Sequence, residues 1–441
     1  MNYSERTGRA VTILIGLWLS LITVADAAAD VLTLAEGLKI VAEKGRSIKM
    51  SRSDEQIAEA DTRIARSRLL PSVQTSGGWS AISHEPAARF GNQVVPTAES
   101  TFFSYSLNVQ QTLYDFRGNA SRYDASRSFF SAATLETRRS ANFAAIEFVL
   151  AYLDLLEKEK IVLVLETEKK ALEAHRNNAG SFYQEGVITK NDLLQAEVKL
   201  SDAEQRLLTA RTYRTLQASH LNSLLLRPLN DPVQAEDISD RHAEVPPVSS
   251  LEAAWKLAEQ ERAELHIADE MLKALGFEET ATRSEYFPKL FVRGGYDYTE
   301  NRYMVHEGNW SVTLGLNLSI FNGGETAAAL KKVAHQKEKI LEQREKLRDD
   351  IRLEVEQAVL QSVTARERLN VTKDAVKQAE ENLRINRVKY EEGIGTGTDV
   401  VDAVALLSVA RTNQYKALYD LRKAEAAVYY ATGKDLLEVY R

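Results

Sequence analysis

Two short stretches set glycine, threonine and aspartate at matching positions. One runs from Tyr183 through Gly186, Val187 and Thr189 to Asp192; the other runs from Tyr390 through Gly393, Ile394 and Thr396 to Asp399 and on to Asp402. Gly186 and Gly393 suit the left-handed residue that ends a helix. Thr189 and Thr396 each precede an Asp by three residues. That spacing fits a capping box, in which hydroxyl and carboxylate satisfy the free N–H groups of a new helix, although Glu or Gln is usual at its second position. Capping accounts for much of Asp192 and Asp399. It accounts poorly for Asp402, which lies one turn further on and has Gln195 as its counterpart in the first stretch.

Little else on the chain could carry chemistry. The seven histidines are scattered, with no His-Glu-x-x-His pair. The absence of cysteine excludes a catalytic thiol, a Cys-ligated zinc and any disulfide. Gly393, Gly395 and Gly397 resemble a phosphate loop only superficially, because they do not follow a strand. The reading is therefore of a protein that is not an enzyme and holds neither cofactor nor metal. A net charge of −7 without a basic stripe argues against nucleic acid.

The two stretches belong to a tandem repeat. Leu34 aligns with Leu251, Pro71 with Pro288 and Gly77-Gly78 with Gly294-Gly295 at one constant offset; Leu113-Tyr114-Asp115 then matches Ile320-Phe321-Asn322, and Asp192 matches Asp399, at a shorter one. The change falls around His84 to Ser100, read as a longer loop in the first copy. The expected organisation is a signal peptide over 1–29, a first copy over 30–226 with strands near 71–82 and 102–115, a proline-bearing linker over 227–250, a second copy over 251–433 with strands near 288–300 and 309–322, and a tail over 434–441. Arg6 and Arg9, the apolar run from Ala10 to Val24 and the alanines to Ala29 carry the signal-peptide reading, with cleavage between Ala28 and Asp30.

Within each copy the order reads helix, strand, strand, very long helix, turn, long helix. Opening helices are expected over Leu34–Arg68 and Leu251–Tyr286. The hairpins alternate: Trp310, Val312, Leu314, Leu316, Leu318 and Ile320 share one face, as do Phe103, Tyr105, Leu107, Val109 and Leu113, with polar residues between them. The long helices run from about Gly118 to Gly180 and from Glu325 to Glu391 without a proline. At ~1.5 Å per residue each would be about 90–100 Å long, which no globular core can enclose. The returning helices carry a seam, Leu193, Ala196, Leu200, Ala203, Leu207 and Ala210 in one copy and Val400, Ala403, Leu407 and Ala410 onward in the other, as in a coiled coil. A sheet with one apolar face and a polar one suits a membrane barrel around water. Two strands per copy leave unpaired edges, which lipid does not tolerate. Such barrels need about eight strands or more, so several chains must pool theirs; closure is required, but the copy number is left open.

At this point the chain resembles the TolC family of outer-membrane factors, from Leu34 to about Gly433. The likeness rests on the duplicated element order, on Leu69-Leu70-Pro71 and Phe287-Pro288 before the first strands, on Ile320-Phe321-Asn322-Gly323-Gly324 after a second strand, and on the two turns. It implies a mainly α fold with a small membrane β-barrel, built as a homotrimeric α/β barrel tunnel in the outer membrane and its lipid, extending into the periplasm. The implied function is a passive exit duct for a tripartite efflux pump or type I secretion system. Its implied partners are a periplasmic adaptor and an inner-membrane transporter of the RND or ABC type. Gly186, Val187, Gly393 and Ile394 match the tips that dock the adaptor. Asp192, Tyr390, Asp399 and Asp402 match the gate and pore constriction. One departure is Gly395, which stands where the family pattern has an arginine locking the closed tip to the aspartate at 192; Lys190 is the cation at hand. The alternative reading is a periplasmic adaptor or a coiled-coil scaffold of a transport complex.

Overall fold

The structure is a computed structural model, and it describes residues 31–238 and 250–441. The signal-peptide reading, and residues 239–249 of the expected linker over 227–250, lie outside those residues. Among the described residues no helix is long and apolar enough to cross a membrane.

The first copy runs α1 (Leu34–Lys44), α2 (Arg46–Ser67), β1 (Ser72–Ala81), β2 (Ala87–Phe90), β3 (Gln93–Pro96), β4 (Thr101–Tyr114), α3 (Gly118–Gln184) and α4 (Lys190–Leu224). The second runs α5 (Leu251–Glu261), α6 (Ala263–Arg283), a short 3₁₀ turn (Ser284–Tyr286), β5 (Lys289–Thr299), β6 (Gly308–Asn317), α7 (Glu325–Glu391) and α8 (Gly397–Ala431), and the short α9 (Leu436–Val439) closes the chain. The two long helices are each 67 residues and the two returning helices each 35. Each long helix packs along its returning partner, and α3 also packs along α8, so the two copies lie side by side.

Four details depart from the sequence reading. The opening helices expected over Leu34–Arg68 and Leu251–Tyr286 are each broken, at Gly45 and at Arg262, where the backbone turns extended. The cause at Arg262 is tertiary: its buried guanidinium pairs with Glu264 and Glu354 and donates to the Ala431 carbonyl. The first-copy loop holds a small hairpin of its own, β2 and β3, turned by Gly91-Asn92 with Gly91 at φ +61. Between Thr112 and Tyr114 the register shifts by a bulge, so Tyr114 rather than Leu113 opposes Leu290. Finally β6 ends at Asn317, opposite the first residue of β5; among the described residues no strand pairs with Leu318, Ile320 or Phe321.

The sheet is antiparallel in the order β1-β4-β5-β6, with β1 and β6 as its outer strands. Its register gathers the apolar side chains on one face: Val73 faces Val109, Trp79 faces Phe103, Leu107 faces Tyr296, Tyr296 faces Trp310 and Val292 faces Leu314. Serines, Asn108, Gln110, Arg293 and Thr313 occupy the other face. The apolar face is uncovered within one chain; Trp310 is 79% and Val312 83% exposed.

The main apolar core lies midway along α3, where Phe148, Tyr152, Leu155 and Leu156 meet Leu38 and Val41 of α1, Leu221 of α4 and Tyr419 of α8. Gly37 admits the Phe148 ring; a Cβ there would lie 2.0 Å from its tip. Further along, Glu168 of α3 is almost fully buried. It accepts two bonds from Arg206 of α4, at 3.1 and 2.9 Å, and one from the Ser408 hydroxyl of α8 at 2.6 Å. Breaking a fully buried ion pair costs about 3–5 kcal/mol. Arg206 is partly exposed and Ser408 would remain, so we expect Arg206→Ala to cost about 1–3 kcal/mol. The midpoint of thermal unfolding of the purified protein checks this, and an unchanged midpoint would mean the pair is solvated.

Candidate functional site

The two turns lie at the far ends of the helical pairs and are built alike. In the first, Gly186 takes φ +75. Its N–H donates to Tyr183, and that of Val187 to Phe182, at 3.1 and 2.8 Å. In the second, Gly393 also takes φ +75, and the N–H groups of Gly393 and Ile394 donate to Tyr390 and Lys389 at 3.1 and 3.0 Å. This double bond pattern satisfies the last helical carbonyls and requires a left-handed residue that glycine supplies without a Cβ penalty. It also throws the next side chain outward. Val187 is 67% exposed and Ile394 78%.

Both capping boxes form. Thr189 N–H and hydroxyl donate to Asp192 Oδ2 at 3.0 and 2.7 Å, and Asp192 N–H donates back to the hydroxyl. Thr396 and Asp399 repeat the arrangement at 3.1 and 2.7 Å. The threonine hydroxyl, then its backbone N–H, hold each carboxyl below its ordinary range. The caps therefore act above the ordinary carboxylate range and are lost only as pH falls below it. Asp402 is exposed on α8 and takes no part in either cap. Gly395 packs closely on the preceding helix end, where a Cβ would lie 3.0 Å from that of Lys389. A larger residue fits there only if the turn gives way.

Tyr390 does not stand free at the turn. Its ring lies 5.1 Å from that of His175 and 5.7 Å from that of Phe182, both on α3. Burial, and then the Asp192 charge, push its phenol above the usual range. The Thr398 hydroxyl donates to Gln195 Oε1 at 3.3 Å, tying the start of α8 to α4. His175, Phe182, Gln195 and Thr398 escape a reading of the turns alone. A signal for His175 exists: Val164, Glu168, Leu172, His175 and Ala179 form the buried stripe of α3, stepping by three and four. A charged and a titratable residue in an otherwise apolar seam are the exceptions that ask for a role.

Over residues 37–225 and 255–434 the chain matches the family model described as outer membrane efflux protein. The chain belongs to that family. Alkaline protease secretion protein AprF of Pseudomonas aeruginosa is 24% identical over 436 residues, spanning 96% of this chain and 89% of AprF. The probable efflux pump outer membrane protein TtgC of Pseudomonas putida is 23% identical, over 81% of this chain and 74% of its own. Among solved structures, CusC superposes with a TM-score of 0.80 at 17% identity, covering 92% of this chain and 93% of that one. VceC of Vibrio cholerae gives 0.79 at 17%, covering 91% and 96%. The fold is thus that of the outer-membrane channels, mainly α with a sheet that stays open in one chain. The outer membrane efflux protein family is one of exit ducts in the outer membrane extending into the periplasm, and membership sets aside the adaptor and scaffold readings. Its members transport; nothing in the family model points to catalysis.

Proposed function

We propose that three copies of this chain close one barrel and one helical tunnel, and that the duct is passive, gated where the two turns meet. The observation that carries closure by several copies is the open sheet of four strands with an uncovered apolar face and two outer edges; the number three and the gate follow the family resemblance. In lipid those edges must be satisfied by other copies. The turns then hang furthest from the membrane. Gly186, Val187, Gly393 and Ile394 present exposed apolar knobs to a periplasmic adaptor, which brings an inner-membrane transporter. AprF carries secretion in its name and TtgC efflux, so relatives at this distance serve both kinds of system; the cargo follows the transporter.

Asp192, Tyr390, Asp399 and Asp402 form the constriction in this reading. Repeated around an axis, Asp399 and Asp402 make rings of negative charge that draw cations. We expect cation-selective conductance in planar bilayers and block by multivalent cations from the tip side. Asp402→Asn should weaken the block while leaving thermal stability unchanged, since Asp402 caps nothing; Asp399→Ala with Asp402→Ala should remove it. Block unchanged in the double variant would refute the assignment.

A further inference from the structure

The duct reading leaves the chemistry of His175 unused. That residue sits on α3 at 8% exposure. The second copy closes directly onto it: the Tyr390 ring of α7 leans on the imidazole at 54°, and a Cβ at Gly397 of α8 would come 3.3 Å from Nε2. The same groove is lined by Asn191, Asp192, Gln195 and Lys199 of α4 and by Thr398 and Val401 of α8. The charged groups lining the same groove are Asp192 and Lys199 of α4, opposite in sign, and the Tyr390 phenol leans in from α7; Gly397, Thr398 and Val401 bring no titratable group from α8. An imidazolium in this place would hold its charge largely out of water, with Asp192 Oδ2 already taken by Thr189.

We propose that His175 is an acid-sensitive clasp: neutral, it lets the tip of the α7/α8 hairpin close on the α3/α4 hairpin, and protonated, it parts them. Burial holds the imidazole below its ordinary range. The closed tip therefore binds a proton less readily than a parted one, so closure is favoured above the ordinary histidine range and weakens as pH falls through and below it. The capping carboxylates stay ionised over that interval, so the turns themselves persist. The consequence for transport rests on the proposed gate; the clasp does not.

The chain has no cysteine, so two introduced ones label cleanly. Spin labels at Val198→Cys on α4 and Leu406→Cys on α8, both well exposed, report the separation of the hairpins in the full-length purified protein. Between about pH 7.5 and about pH 5, which brackets the histidine range, the distance should lengthen or broaden with His175 present. It should stay fixed in His175→Gln, which keeps a polar group of similar size, and in His175→Phe. In planar bilayers conductance should rise several-fold over the same interval and stay flat in both variants. An unchanged distance in the histidine parent, or an equal change in the glutamine variant, overturns the clasp. A distance that responds while conductance does not would uphold the clasp and count against the gate at the tips.

Discussion

Replacing Val187 and Ile394 by aspartate together should abolish export while the amount of assembled protein in the outer membrane stays normal. Both side chains point outward, and Val187 and Ile394 hold their turns through backbone N–H groups that the substitution leaves in place. The left-handed glycines before them, and the capping boxes after, survive the change. What is lost is an apolar surface that a partner must desolvate, and a buried, unpaired carboxylate opposes docking by several kcal/mol. Export measured alongside outer-membrane yield separates this from misfolding. Wild-type export from the double variant would remove the docking role of the tips. A fall in yield that matches the fall in export would mean that the turns are structural and nothing more.

Leu314→Arg should nearly eliminate assembly in the outer membrane, whereas Thr313→Arg, its neighbour on the opposite face, should be tolerated. Leu314 is 67% exposed in one chain, midway along β6, opposite Val292 in the apolar face. If that face meets lipid, an arginine near the bilayer midplane costs about 2–4 kcal/mol per copy, and the cost repeats in every subunit. Thr313 faces the same side as Arg293, where a cation is already present, and in the proposed barrel that side would face water. Equal loss from both substitutions, read as protein recovered from the outer-membrane fraction, would contradict the assignment of faces.

Much of this was legible in the sequence because the elements are long and periodic. Alternation in the hairpins identified their faces, and the register confirms that Phe103, Tyr105, Leu107 and Val109 share a side with Trp310, Val312, Leu314 and Leu316. The capping boxes at Thr189 and Thr396 were readable because capping is local chemistry, complete within four residues. The break at Arg262 was not readable. Helical periodicity runs through it, and the residues that stabilise the extended backbone, Glu354 and Ala431, are remote in sequence. The β2–β3 hairpin was missed because strands of four residues carry too few alternations, although Gly91-Asn92 was the turn signal to find. The bulge at Leu113 is a property of two strands, and no single strand announces it. His175 carries no signal in the turns themselves; it stands out only along the α3 seam of three- and four-residue steps, where it and Glu168 interrupt the apolar residues.

The most direct test of the central claim is where the mature protein is found and in what form. Membrane fractionation followed by light scattering in detergent should recover it from the outer membrane as an assembly of three chains that needs detergent to stay dispersed and falls apart on heating. Recovery from the soluble periplasmic extract as a compact single chain, stable without detergent, would contradict it.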